Sequence, residues 1–93
     1  MKLNLILKTP LTFIPNVITP NDDGKNDLFV IPKLNLYPVN ALIIYDRWGQ
    51  VVFSKINYDN TWNAEELSGG IYFYSLSVNG VQKNLTGWIH VIR

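Results

Sequence analysis

The chain has 93 residues, of which 47% are hydrophobic and 13% aromatic, and its formal net charge is +1. This length predicts one domain, residues 1–93, with a small core, and the scattered Lys and Arg residues exclude the basic patch of a nucleic-acid-binding protein. Because the sequence contains no cysteine, disulfides, thiolate catalysis and Cys-ligated zinc are excluded as well.

The amino terminus reads MKLNLILK and superficially resembles a secretory signal. Its apolar stretch is short, however, Asn4 interrupts it, and no small-residue cleavage site follows. We interpret residues 1–10 as a leading strand or the edge of a cloned segment, and we expect the export signal of a longer natural chain to lie upstream. No apolar run approaches the roughly 20 residues that cross a bilayer as a helix, so we expect no membrane insertion.

Period-two alternation, which is typical of β-strands, dominates the rest of the chain. The predicted strands are rich in Val, Ile, Tyr, Phe and Trp and cover residues 11–18, 28–32, 40–47, 50–55, 71–78 and 82–92, with the first eight residues as a candidate addition. Short strands with regular turns predict an all-β fold, an Ig-like antiparallel β-sandwich of about seven strands. Residues 56–70 form the longest stretch without strand character and have room for one helical turn.

Turn residues and alternation also predict hairpins and a core face. Asn79-Gly80 is the residue pair that type I′ turns favour, and Trp48-Gly49 supplies a glycine for positive φ in a second tight turn. Alternation assigns one face of residues 71–78 to the core, namely Tyr72, Tyr74, Leu76 and Val78. In the last strand Leu85, Ile89 and Val91 share one face. The opposite face of the last strand then carries Trp88, His90 and Ile92.

The polar segment ITPNDDGKNDLF, residues 18–29, raises the question of a metal loop, a catalytic acid cluster or a structural turn. An EF-hand alignment with Gly24 at its sixth position puts Val30 at the twelfth, where no ligand is available. A looser calcium site that uses Asp22, Asp23 and Asp27 stays open as an alternative. We favour a turn held by Asx hydrogen bonds, because such a turn needs no ligand, and we expect no metal or cofactor.

Catalytic and ligand-binding arrangements have weaker signals. Neighbouring carboxylates in a turn do not indicate the cleft of a glycoside-cleaving acid pair. His90 is the single histidine, so a Ser-His-Asp hydrolase would require it, yet no serine has a nucleophile-elbow context. Trp48, Trp62 and Tyr58 are candidates for a stacking face, which keeps an adhesive or carbohydrate-binding module as the alternative function.

Five blocks of the sequence resemble one known family. They are FIPNVITPNDDGKNDLF, IIYDRWGQVVF, YDNTW, LSGGIYFYSL and LTGWIHVIR, in that order over residues 13–93. Each resembles a block of the gliding motility-associated C-terminal domains, the type B C-terminal sorting domains of the type IX secretion system. The sequence departs from that family after Trp62, where Asn63-Ala64-Glu65-Glu66 replaces the family's Asp-Gly and longer Gly-rich insert.

The resemblance implies a non-catalytic C-terminal signal. It would direct an N-terminal passenger of the same chain through the periplasm and the type IX system to the cell surface or the medium. The implied partners are proteins, namely components of the outer-membrane translocon and its shuttle.

We expect the recognition surface at positions that carry the family blocks and are poorly explained as core: Asn21, Asp23, Gly24, Asn26, Asp27, Arg47, Trp48, Gly49, Gly87 and Arg93. The structural alternative is that Arg47 pairs with Asp23 or Asp27 and that the turn glycines only allow positive φ.

Overall fold

The computed structural model describes residues 14–21, 24, 27–37, 39–79 and 84–93, in which the chain forms one five-stranded sheet. The strands are β1 (Val17–Ile18), β2 (Asn40–Tyr45), β3 (Val51–Ile56), β4 (Gly70–Val78) and β5 (Leu85–Val91). Their order across the sheet is β1-β5-β4-β2-β3, with β1 parallel to β5 and every other pair of neighbours antiparallel. The predicted all-β character is therefore confirmed.

One face of the sheet is buried, as the alternation predicted. In β4 the four predicted core side chains, Tyr72, Tyr74, Leu76 and Val78, are all buried. In β5 the side chains of Ile89 and Val91 are buried and Leu85 is partly buried against the core, while Trp88, His90 and the following Ile92 are exposed. Period two assigns faces reliably here because consecutive side chains of a strand point to opposite sides of the sheet.

The layer that covers this face is irregular chain and not a second sheet. It contributes apolar side chains from the segments before β2 and between β3 and β4: Phe29, Ile31, Leu34, Tyr58, Trp62 and Ala64. The predicted two-sheet, seven-stranded sandwich is thus not found among the residues that the structure describes. A five-stranded sheet under a layer of loops takes its place there.

The predicted strand 28–32 is wrong as a strand, although its alternation correctly marks Phe29 and Ile31 as buried. The amide of Phe29 donates to the Trp62 carbonyl (2.9 Å), and the amide of Ile31 donates to the side chain of Asn60 (2.9 Å). These bonds join two loops. Alternation shows only that the chain is extended over a core, and it does not show whether the backbone partner is a strand.

The helical turn lies outside the stretch in which it was anticipated. Residues 57–69 contain no helix, whereas Leu34–Leu36 form a 3-10 helix that follows Lys33 in a left-handed conformation (φ 64°). Its last amide, that of Tyr37, bonds back to the Leu34 carbonyl (2.8 Å). No helix in the described ranges is long and apolar enough to cross a membrane.

Both predicted hairpin turns fall between antiparallel neighbours. Gly49 has φ 84°, which confirms the tight β2–β3 turn, and β2 ends at Tyr45 because Asp46 already belongs to that turn. Gly80 of the predicted Asn79-Gly80 turn lies outside the described residues, as do residues 1–13 at the amino terminus. The predicted strands 11–18 and 82–92 are shorter in the described chain, where only Val17–Ile18 and Leu85–Val91 pair.

Two buried polar groups tie the loop layer to the sheet. The side chain of Asn40 donates to the Tyr37 carbonyl (2.8 Å) and accepts from the Tyr58 amide (3.0 Å). The Tyr58 hydroxyl then donates to the Phe29 carbonyl (2.6 Å) and accepts from the Trp62 amide (3.0 Å). Because a buried polar group without a partner is costly, these bonds select one arrangement of the loops over the sheet.

Candidate recognition surface

Strand direction gathers most of the predicted recognition residues at one end of the sheet. β1, β2 and β5 finish there, and β3 and β4 begin there, because β1 is parallel to β5 and the other pairs are antiparallel. We call this the recognition end. Of the described residues it comprises 19–21, 24 and 27 after β1, the β2–β3 turn at residues 46–50, the loop of residues 63–69, and Arg93.

The Asp27 carboxylate holds the described residues of the segment that follows β1. One oxygen of Asp27 accepts from the Asn21 amide (3.1 Å) and the other accepts from the Gly24 amide (2.8 Å). Gly24 has φ 81°, a conformation that favours glycine. Of the calcium candidates, Asp22 and Asp23 lie outside the described residues, as does Asn26 of the predicted surface. Within the described ranges no cluster of three His, Cys, Asp or Glu side chains is arranged to hold a metal ion.

The β2–β3 turn presents a tryptophan to solvent. The Asp46 carboxylate accepts from the amides of Trp48 and Gln50 (both 2.9 Å) and so shapes the turn. Trp48 is 76% exposed, and the guanidinium carbon of Arg47 lies 5.2 Å from its ring centroid. This contact is a cation–π interaction that orients both side chains toward solvent.

A cleft of about 400 Å³ separates this turn from the neighbouring loop. The residues that line it include Arg47 and Trp48 of the turn, Leu67 of the loop, and Gly70 and Tyr72 of β4. A Cβ added at Gly70 would lie 3.8 Å from Nη1 of Arg47, so the guanidinium sits directly over this glycine. The cleft is open and mixes apolar and charged groups, as a protein-binding site does.

Arg93 connects the terminal strand to the loop of residues 63–69. Its Nε donates to the Leu67 carbonyl (2.9 Å) and its Nη2 donates to the Ala64 carbonyl. A second cleft, of about 370 Å³, is lined by Asp27, Glu66, Leu67 and Arg93. Glu65, Glu66 and Leu67 were not among the predicted recognition residues, although the departure from the family pattern after Trp62 marked this loop as unusual.

Gly87 is the predicted recognition residue that lies apart from the others. It sits in the middle of β5, opposite Tyr74 of β4. A Cβ added at Gly87 would lie only 2.7 Å from the Tyr74 hydroxyl oxygen and 2.9 Å from the ring. The glycine therefore leaves the space in which the Tyr74 ring packs against the sheet.

A family model described as CHU_C, type IX secretion signal domain, matches residues 12–91. The chain belongs to this family. The match spans all five strands and the three segments of the recognition end that precede Arg93. No curated protein and no solved structure matches the chain.

Membership in the type IX secretion signal domain family confirms the resemblance found in the sequence blocks. It assigns the chain a secretion-signal role, which implies contact with the secretion machinery and a cargo that reaches the cell surface or the exterior. Such a role depends on a surface that another protein recognises.

The stacking face suggested for a carbohydrate-binding module is wrong in this secretion signal domain. Trp62 and Tyr58 are only 6% and 5% exposed, and Trp48 alone of the three rings faces solvent. Burial also raises the pKa of Tyr58 well above its ordinary value. The two rings belong to the core because Phe53 and Phe29 pack around them.

His90, which a hydrolase would require, is exposed on the outer face of β5. Its neighbours in the sheet are Val17 of β1 and Ile71 of β4. Neither is a nucleophile or an acid, so the pairing places no catalytic partner directly beside the imidazole.

Proposed function

We propose that this type IX secretion signal domain is a non-catalytic C-terminal sorting signal. It directs a passenger located earlier in the same chain from the periplasm through the outer-membrane translocon to the cell surface or the medium. The observation that carries the proposal is the family match over residues 12–91, which covers nearly the whole described fold.

We propose further that the translocon or its shuttle recognises the recognition end. The family blocks place residues there that lie outside the buried core and that either face a partner or shape the surface: Asn21, Gly24, Asp27, Arg47, Trp48, Gly49 and Arg93. The predicted residues Asp23 and Asn26 belong to the same sequence segment, whereas the position of Gly87 supports a packing role.

The physical character of this end supports the proposal. Arginine and tryptophan are enriched among the residues that dominate protein–protein binding, and Arg47 and Trp48 stand together on a tight turn. The turn at Asp46 and the turn at Asp27 are each held by two side-chain hydrogen bonds. A preorganised surface loses little conformational entropy when a partner binds, so it is well suited to recognition.

A transport assay tests the function. Residues 11–93 are joined to a fluorescent reporter that carries its own periplasmic export signal, in a host with a type IX system. We expect the reporter outside the cell. A host lacking the translocon, and a reporter without the domain, serve as negative controls and should retain fluorescence in the periplasm.

An established sorting domain on the same reporter is the positive control. If that domain carries the reporter out while residues 11–93 leave it in the periplasm, the proposed function is refuted.

A further inference from the structure

Within the part of the chain that the structure describes, the side-chain hydrogen bonds of Arg93 go to backbone carbonyls. Two nitrogens of its guanidinium donate to two carbonyl oxygens of one loop, those of Leu67 and Ala64. The planar guanidinium group can reach both acceptors at once, which a lysine ammonium group does less well.

The loop that accepts these bonds has an unfavourable backbone conformation. Ala64 has φ 59° and Glu66 has φ 66°, and both side chains carry a Cβ that disfavours the left-handed region. The Ala64 carbonyl also accepts from the Leu67 amide (3.0 Å), so the Arg93 guanidinium bonds to the oxygen that already closes the turn. Such a conformation persists only where the surrounding contacts hold it.

A second contact presses the same loop against the terminal strand. A Cβ added at Gly69 would lie 3.1 Å from the Val91 carbonyl oxygen and 3.8 Å from Cβ of Arg93. Loop and strand therefore meet closely at Gly69, and Arg93 lies beside this contact.

We propose that Arg93 is a positioning residue of the recognition end. Its hydrogen bonds hold the loop of residues 64–67 against the end of β5, and the partner contacts this loop and not Arg93 itself. The loop forms a wall of both clefts, since Glu66 and Leu67 line each of them. One side chain thus determines the shape of the surface on both sides. The consequence for export rests on the proposed function, whereas the fastening of the loop does not.

The first experiment measures the loop in the isolated domain. Amide hydrogen exchange is compared between wild type, Arg93→Gln and Arg47→Gln, which remove the same charge from the same end of the molecule. We expect the Leu67 amide to exchange about tenfold faster in Arg93→Gln and to be unchanged in Arg47→Gln, with the β4 amides protected in all three proteins. Equal exchange of Leu67 in Arg93→Gln and wild type overturns the proposal.

The second experiment separates positioning from direct contact. Ala64→Gly removes the cost of the left-handed conformation at a fully buried position, so it favours the loop conformation without altering the exposed surface. We expect Arg93→Gln to lose reporter export, Arg93→Lys to retain part of it, and the Arg93→Gln/Ala64→Gly double variant to recover at least about half of it.

The positioning role is overturned if the Arg93→Gln/Ala64→Gly double variant is not exported while Ala64→Gly alone is exported normally. That result shows that the partner contacts Arg93 directly. Unimpaired export of Arg93→Gln overturns it as well. If the wild-type domain is not exported at all, the proposed function fails, and the exchange experiment still decides whether Arg93 fastens the loop.

Discussion

Trp48 is the most exposed large apolar side chain of the described residues, at 76%. A ring so exposed contributes little to folding, since the hydrophobic contribution scales with the apolar area removed from water. Its contact with Arg47 orients the ring without covering it. At the scale of single residues, the fold gives little reason for a tryptophan at position 48, whereas the proposed recognition gives one.

The first prediction compares two exposed tryptophans. Trp48→Ala is expected to reduce reporter export about tenfold or more, because a tryptophan at the centre of an interface often contributes over 2 kcal/mol to binding. Its melting temperature should stay within about 3 °C of wild type, since little area is buried. Trp88→Ala, on the outer face of β5, is the matched control and should be exported normally. Equal loss of export in both variants would argue against Trp48 as a recognition residue.

Tyr58 illustrates the opposite case, a polar residue used by the core. Its hydroxyl bonds to two backbone groups that would otherwise be buried without partners. Burial raises its pKa, so the folded state keeps the phenol proton at a pH where the unfolded state releases it. The contribution of Tyr58 to the free energy of unfolding is therefore fully present below the ordinary tyrosine pKa, and it falls as the pH rises above that value.

The second prediction follows from this linkage. Above about pH 10, the free energy of unfolding of wild type should fall by up to about 1.4 kcal/mol per pH unit from Tyr58. Tyr58→Phe should be less stable by about 1–3 kcal/mol at neutral pH, because two backbone groups lose their partner, and its slope above pH 10 should be shallower. Burial also raises the pKa of Tyr74, so part of the slope remains in the variant. Urea unfolding across pH 7–11 measures both effects, and identical slopes would contradict the assignment.

At the scale of elements, the pairing of β4 with β5 gives a packing reason for a glycine that the sequence blocks marked for recognition. Tyr74 and Gly87 are opposite each other in these strands, and the ring occupies the place of the missing side chain. The ring also packs against Phe29 of the loop layer, with centroids 5.5 Å apart. The absence of a side chain at Gly87 thus lets the Tyr74 ring lie over β5 and also contact the loop layer.

The third prediction tests this packing role. Gly87→Ala should lower stability by about 1–3 kcal/mol, because the new methyl group overlaps the Tyr74 ring and forces it to move. Replacing Tyr74 by leucine in the same chain removes the overlap, so the double variant should lose less than the sum of the two single losses. Export should fall only as far as stability does. A stable Gly87→Ala variant that fails in export would instead favour direct recognition at Gly87.

At the scale of the whole molecule, the sheet is covered by loops that contribute buried apolar side chains and that side-chain hydrogen bonds hold in place. Asn40 fixes the end of the loop layer opposite the recognition end, and Tyr58 fixes its middle. Arg93 holds the loop at the recognition end. The buried residues of the described core all lie between Ile18 and Val91. This distribution matches the family domain, which begins at residue 12.

The fourth prediction concerns the extent of the folding unit. A chain that begins at residue 11 should unfold cooperatively and melt within about 3 °C of the 93-residue chain, since the match to the family domain begins at residue 12. Differential scanning calorimetry of both chains measures this. A clear loss of stability would show that residues 1–10 contribute to the fold, as the leading-strand interpretation holds.

Structural features that have a local physical cause, such as the buried face of a strand or a tight turn, were predicted correctly from the sequence. Alternation identified the buried side chains of β4 and β5, because a strand turns consecutive side chains to opposite faces. Glycine at position 49 identified a turn, because positive φ costs glycine little. The ordered blocks identified the family, and most of the proposed recognition positions were selected with them.

Other features depend on which distant segments meet, and only the tertiary structure decided them. Residues 28–32 have the alternation of a strand, yet their amides bond to the loop that carries Trp62. Trp62 and Tyr58 look like a binding face in the sequence, but the aromatic side chains that bury them come from other parts of the chain. Arg93 finds its acceptors in a loop far away in the sequence. Local periodicity reports how a segment is shaped, whereas strand order and direction determine its neighbours, and a short pattern carries no information about those.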